Sequence, residues 1–287
     1  MYKGEFFFSC PVLSLKNPIS IREMTVGEYI SLLKFLKNNN SKHIDYYVSY
    51  LLEKLILNDY SKLNVIDKFT ALLTLRSIIL GSDIYLLLTS SNKRIKVSID
   101  DIVSVLLSVQ LSPPKIIKTN ELEIEIGYPK NFHIEGIDPF LNCLTHITTS
   151  EAGRVDFASL SLEEKEHIAD HLPSEILKPM QSAILKLDQE AQQIILFKTT
   201  EDDVRLSLND ESLIQLLKIL LSDDLKSIYD IAYTLISKAN FSWSDIMLLN
   251  PAEMQIFYSR LGQDNKELQE ATKTPKNPMS SVVDSLK

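Results

Sequence analysis

"LTLRSIILGSDIYLLLTSSNKRIKVSIDDI", residues 73–102, is the stretch on which the fold turns. Its first eight residues continue an apolar helical run, and Gly81 sits where a helix stop is expected. Two apolar stretches then flank a polar turn. Ile84, Leu86 and Leu88 before the turn, and Ile95, Val97 and Ile99 after it, alternate as the strands of a hairpin do. A hairpin set among helical segments predicts an α+β fold that is mainly α-helical. The "DDIVSVLLSVQL" that follows fits helix and strand equally, because a short apolar run carries no decisive period.

Toward the N-terminus, "EFFFSCPVLSL" is strand-like and "NPIS" punctuates it. In "IREMTVGEYISLLKFLKNN" Thr25 and Glu28 form a capping-box pattern, and Tyr29, Leu32, Leu33 and Leu36 share one helical face. Further helices are predicted through "HIDYYVSYLLEKLIL" and "VIDKFTALLTLRSIILG". Toward the C-terminus, Pro113 and Pro114 mark a boundary. "ELEIEIGYP" alternates Leu122, Ile124 and Ile126 with Glu121, Glu123 and Glu125, the period of a strand with one wet face. "DPFLNCLTHI" reads as a short helix.

From "SLSLEEKEHIADHLPSEILKPMQSAILKL" onward the pattern is helical, with Ser161 and Glu164 as a second capping box and "LPSE" opening another helix. "QQIILFKT" fits a strand or a buried helix end. Helices follow through "DESLIQLLKILLS", "DDLKSIYDIAYTLISKA", "SWSDIMLL" and "NPAEMQIFYSRLGQDNKELQEA". In the last, Asn250 is the N-cap, Pro251 takes the first helical position and Glu253 completes the box, with Met254, Phe257, Tyr258 and Leu261 as its apolar stripe. The expected organisation is an N-terminal helical domain over 1–112 with the hairpin at 84–99, a strand-containing connector over 113–150, a helical domain over 151–271 and a flexible tail over 272–287.

A chain of 287 residues with 45% hydrophobic content can bury one large or two ordinary cores. Lys and Arg total 30 against 38 Asp and Glu, a net charge of -8, so general attraction to nucleic acid or an anionic membrane is not expected. Cys10 and Cys143 lack partners at metal-ligand spacing, and a reducing compartment is the simpler expectation. "MYKGEFFFSCPVL" lacks the apolar core and cleavage site of a secretory signal, and no run approaches the roughly 18 apolar residues of a membrane span. A soluble, intracellular protein is expected.

Candidates for chemistry are sparse. His167 and His171 lie four apart and share a helical face, which suits one metal ion, but Glu166 precedes the first histidine, where the zincin motif needs a Glu between the two. A solvated face with Glu163, Glu164 and Asp170 accounts for the same residues. The pairs Asp100 and Asp101, Asp202 and Asp203, and Asp223 and Asp224 fit helix starts and turns, where carboxylates meet free N–H groups. Cys143 and His146, three apart on the predicted short helix, have the composition of a nucleophile and base; a buried thiol is the expectation. The 7 glycines stand singly, so phosphate-cradling loops are absent from the sequence. Tyr229, Tyr233, Phe241, Trp243, Phe257 and Tyr258 have helical spacing that makes them core first and partner surface second.

Three segments together resemble the baseplate hub and hub assembly proteins of T-even-type contractile-tailed bacteriophages. "CPVLSLKNPISIREMTVGEYISLLKFL" is similar to the opening of that family, through Arg22, Met24, Thr25 and Glu28. Residues 73–102 are similar to its middle, through Arg76, Ser77, Gly81 and Asp100. "DLKSIYDIAYTLISKANFSWSDIMLLNPAEMQIFYSRL" resembles its Tyr-rich helical end, with Pro251 and Glu253 at a helix start. The resemblance implies a non-enzymatic component or assembly factor of the hub, with no cofactor and no small-molecule ligand. It implies a place in the virion tail, or in the host cytoplasm during assembly, and other tail proteins, the hub or tape-measure protein, as partners.

Some members of such a family carry Cys-x-x-Cys in the hairpin, one half of a zinc site. Here the turn is Thr89-Ser90-Ser91-Asn92-Lys93, with no thiolate. Packing of the hairpin's apolar residues, or a partner strand, must then hold it, since a lone hairpin is marginal in water. The interface residues expected are Trp243, Phe257, Tyr258, Val282, Val283 and Leu286. The rival expectations are a metal-dependent hydrolase using His167 and His171 with Glu163 or Asp170, and a cellular helical adaptor.

Overall fold

At Gly81 the backbone takes φ 83° and ψ 165°, a conformation that side-chain-bearing residues rarely adopt, and this ends helix α3 (Val65–Leu80). The computed structural model describes residues 7–37, 44–88, 92–130, 132, 139–150, 153–198, 203–205 and 225–273. The chain divides into two units: unit 1 comprises Met1–Met24 and Glu28–Asp223, and unit 2 comprises Thr25–Gly27 and Asp224–Lys287. The fold is α+β and mainly helical, as predicted.

Unit 1 opens with β1 (Phe7–Cys10) antiparallel to β2 (Ile19–Arg22), followed by α1 (Val26–Lys37), whose residues from Glu28 belong to this unit, and α2 (Ile44–Leu55). Tyr29, Leu32, Leu33 and Leu36 are all buried, so the predicted stripe of α1 is its core face. Phe35 stacks on Tyr47 of α2, ring centres 4.1 Å apart. At the head of α1, Arg22 Nη1 and Nη2 donate to Glu28 Oε2 and Oε1 at 3.0 and 2.7 Å. This paired geometry holds the β2–α1 turn. Replacing Arg22 with alanine is expected to cost about 1 kcal/mol, read as a lowered urea midpoint with unchanged slope.

α3 is the centre of unit 1. Every residue from Val65 to Leu73 is buried, including Asp67, Lys68 and Thr70, so this helix is enclosed on all sides rather than amphipathic. Its N-cap is Asn64, whose side chain accepts from Asp67 N at 2.9 Å while Asp67 Oδ2 accepts from Asn64 N at 3.3 Å.

β3 (Asp83–Leu88) and β4 (Lys93–Ser98) form the hairpin, with Ile84 opposite Val97 and Leu86 opposite Ile95. Ile84 and Val97 are buried, which supplies part of the packing that a two-stranded ribbon requires. Thr89, Ser90 and Ser91 of the turn lie outside the described residues. The hairpin runs one residue earlier than predicted at each end, Asp83 to Ser98, and Ile99 heads α4 (Ile99–Leu107) and is itself fully buried. The ambiguous "DDIVSVLLSVQL" is therefore a helix through Leu107: Ile99, Ile102 and Leu106 are buried at helical spacing.

Next come β5 (Lys115–Lys118), β6 (Leu122–Ile126), α5 (Pro139–Cys143), β7 (Leu144–Thr149) and β8 (Gly153–Asp156), which make an antiparallel sheet in that strand order. The alternation of β6 behaves as predicted, with Ile124 and Ile126 buried. "DPFLNCLTHI" is corrected: the helix stops at Cys143, and Leu144 begins a strand whose Ile147 pairs with Ile124 on one side and Val155 on the other. Those pairings are long-range, and they override the local helical spacing.

α6 (Leu162–Asp170) and α7 (Ser174–Gln192) follow, then β9 (Ile195–Lys198) pairs with β10 (Asp203–Arg205). "QQIILFKT" thus contributes a strand. The capping box of α6 is present, Glu164 N donating to Ser161 Oγ at 3.2 Å and Ser161 N to Glu164 Oε2 at 2.7 Å. The predicted helix through "DESLIQLLKILLS" lies outside the described residues.

Unit 2 contains α8 (Leu225–Ala239), α9 (Trp243–Leu248) and α10 (Pro251–Lys273). Among its described residues, Val26, Ile228, Ala232, Leu235, Ile246, Pro251 and Met254 are buried. Asn250 and Glu253 cap α10 reciprocally at 2.7 and 3.1 Å, as predicted. Val26 N donates to Leu249 O at 2.7 Å, and a Cβ on Gly27 would lie 3.2 Å from Met247 O, so this close approach uses the glycine.

Candidate functional site

Among the described residues of unit 1, a cleft lies between α6 and the sheet. β6, β7 and β8 present Leu122, Ile147, Thr149 and Val155 toward it. Leu160, Ile168 and Leu172 supply the apolar side of the α6 segment, with Glu163, Glu164, His167 and His171 also lining the cleft. Its volume is about 560 Å³, within the usual range of ligand pockets. Leu122, Val155, Leu160, Ile168 and Leu172 are only half-buried, so this is apolar surface still reachable by water. The Glu164 carboxyl is held below its usual range by its two hydrogen bonds to Ser161.

The two histidines do come together, with ring centres 4.1 Å apart. However, His171 caps the end of α6 and its Nδ1 lies 2.7 Å from His167 O, a distance that engages this nitrogen with the backbone. Among the described residues no group of three or more His, Cys, Asp or Glu side chains is placed to hold one metal ion.

Cys143 and His146 do not share a helix. Cys143 is the last residue of α5 and is buried, as expected of a free thiol. His146 lies on β7, where its Nδ1 is 3.1 Å from Glu125 Oε2, and Arg154 of β8 reaches the same carboxylate at 3.0 Å. This cluster occupies the wet face of the sheet, opposite Ile124, Ile147 and Val155. Asp100 and Asp101 stand in the first turn of α4 as expected, whereas Asp203 begins β10 and pairs with Arg205. Asp202, Asp223 and Asp224 lie outside the described residues.

The four residues of the middle family motif meet at one junction. Arg76 Nη1 donates to Gly81 O at 3.0 Å, Ser77 Oγ donates to Asp100 Oδ1 at 2.7 Å, and Ile99 N donates to Ser82 O at 2.8 Å. These bonds tie the end of α3, the base of the hairpin and the start of α4 together. The motif is architectural.

The aromatic residues of unit 2 depart from the core expectation. Trp243 stacks on Tyr229 with ring centres 5.8 Å apart and planes 2° from parallel, yet remains 44% exposed. Tyr258 is 41% and Tyr233 72% exposed, while Phe257 is half-buried against Phe241. Buried positions in these helices go to Ile228, Ala232, Leu235 and Met254 instead, which leaves the rings at the periphery. Val282, Val283 and Leu286 lie outside the described residues.

A buried polar site in unit 1 has no counterpart among the predicted residues. Asp67 Oδ1 accepts from Leu13 N at 2.7 Å and Ser14 N at 3.2 Å, while Asn64 Nδ2 donates to Ser14 Oγ at 2.8 Å. Beside it, Lys68 Nζ donates to Lys130 O and stands 4.2 Å over the Tyr60 ring. Burial, helped by the nearby Lys130 ammonium, brings the Lys68 amine down to about 7. The sequence signal was the Asn64-x-x-Asp67 capping box; Lys68 sits inside an apolar run, and nothing local to it shows enclosure.

Among the described residues no helix is long and apolar enough to cross a membrane. No curated protein and no solved structure matches the chain. The family model described as T4 bacteriophage base plate protein matches residues 6–199, more than half of the 287-residue chain, and the span contains both motif junctions and the cleft. The chain belongs to the T4 bacteriophage base plate protein family.

Proposed function

We propose that this protein is a subunit of the baseplate hub that acts by binding other tail proteins and carries out no reaction. Family membership makes it a phage baseplate structural protein, located in the virion tail with other tail proteins as partners. The hub assignment is supported by the Arg22 and Glu28 pair and by the Arg76, Ser77, Gly81 and Asp100 junction, the residues through which the chain resembles hub proteins.

The observation that carries the binding role is the apolar surface left open in both units: the cleft beside α6, and the half-exposed Trp243 and Tyr258. Such surface gains stability when a partner removes it from water. Cross-linking mass spectrometry on purified tails tests the assignment. Cross-links from this chain to subunits at the centre of the baseplate are expected; cross-links confined to peripheral subunits would overturn the hub role.

A further inference from the structure

We propose that the cleft between α6 and the β6-β7-β8 face is a docking site for a segment of another baseplate protein in which apolar side chains stand next to lysine or arginine. The inference rests on the binding role given above. Its first ground is shape and polarity. The floor consists of Leu122, Ile147 and Val155 from three adjacent strands, and the opposite wall of Ile168 and Leu172. About 560 Å³ accommodates several apolar side chains inserted from one segment, the mode by which grooves take amphipathic peptides.

The second ground is charge. Among the described residues the carboxylates lining the cleft are Glu163 and Glu164, and no described Lys or Arg lines it. Glu166 and Asp170, exposed on the same helix, extend the acidic character of this rim. Lys165, which is not among the lining residues, has its Nζ 5.7 Å from the centre of the Phe157 ring. Acidic or phosphate-bearing ligands are disfavoured at such a mouth, whereas a cationic flank meets opposite charge without any rearrangement of α6. The hydrogen bonds of Glu164 to Ser161 keep that carboxylate fixed as part of the rim.

The test uses the full chain and fluorescein-labelled 15-residue peptides tiling the baseplate proteins of the same phage, read by fluorescence anisotropy. The peptides bound most tightly are expected to combine apolar residues with Lys or Arg, and to lose at least tenfold in affinity when those cations are changed to Glu. Ile168→Asp is expected to weaken binding at least tenfold. Glu163→Lys, on an exposed position that leaves the fold intact, is expected to weaken it severalfold, more at low salt than at high salt. Trp243→Ala, in unit 2, is expected to leave it unchanged. Binding that is indifferent to both cleft variants, preference for acidic peptides, self-association through this face, or no peptide binding would each overturn the proposal. If tail cross-links persist in the Ile168→Asp protein while peptide binding never depended on the cleft, the docking site falls and the hub reading stands.

Discussion

Replacing Asp67 with alanine is expected to lower stability by about 3 to 5 kcal/mol, near the upper end for single substitutions. The carboxylate is fully buried and accepts backbone N–H groups from Leu13, Ser14 and Asn64. Bonds to a charged acceptor are each worth roughly 1.5 to 3 kcal/mol, and removing the acceptor also leaves those donors unpaired. The substitution further deletes half of the capping box of α3 and so costs roughly another 1 kcal/mol. These terms overlap, which is why their sum is not the expectation. In a chain of this size the loss corresponds to a fall in melting temperature of roughly 10 °C. Urea unfolding followed by circular dichroism reads it directly, and a change below 1 kcal/mol would mean that water replaces the carboxylate at this site.

Lys68 carries the second large effect, a dependence of stability on pH. Its folded-state value is brought down to about 7 from an ordinary value of 10.5, first by burial. Between those values the unfolded chain binds a proton that the folded protein does not, so unfolding becomes harder as pH rises. The contribution is present at high pH and is lost as pH falls through 7. Its slope is roughly 1 kcal/mol per pH unit, or about 2 to 3 kcal/mol from pH 7 to pH 9. Tyr60, pushed up to about 12, and Cys10, also raised by burial, act in the opposite sense at higher pH. Comparison with Lys68→Met cancels them. Methionine fills the same apolar surroundings without the ammonium, so its stability curve is expected to lie above the wild type at pH 7 and to converge with it toward pH 9. Parallel curves would place the Lys68 amine in contact with solvent.

Much of the fold is legible where a local signal agrees with the tertiary outcome. The Thr25 to Glu28 pattern and the Leu32 and Leu33 stripe locate α1, the Glu and Ile alternation locates β6, and Asn250 with Pro251 locates α10. Where the local signal is silent or misleading, the determinants are distant in sequence. The stretch "DPFLNCLTHI" reads as one short helix, whereas the strand state of β7 depends on pairing with β6 and β8. The cleft joins Leu122 to Ile168 and Leu172, residues of separate elements, and no pattern within α6 announces it. The histidine pair was visible because it lies within one helix, but its chemistry depends on the bond from His171 to the backbone of His167, which sequence does not display.

The aromatic residues of unit 2 show the same limit from the other side. Helical spacing correctly assigned Tyr229, Tyr233, Phe257 and Tyr258 to helices, yet it does not say which face the small residue Ala232 opens to close packing. Ala232 is fully buried, while Tyr233 next to it is 72% exposed. Exposed rings of this kind are the surface on which a tail subunit of this family meets its partners under the reading proposed here.

The central claim is that the protein is a structural component of the phage baseplate. Quantitative mass spectrometry of purified virions, with the lysate in which they assembled measured alongside, addresses it most directly. The account predicts this chain in intact virions at a small, fixed copy number per tail. Its presence in a lysate rich in tail proteins together with its absence from the virions would contradict the claim and make the protein an assembly factor that leaves before the particle is complete.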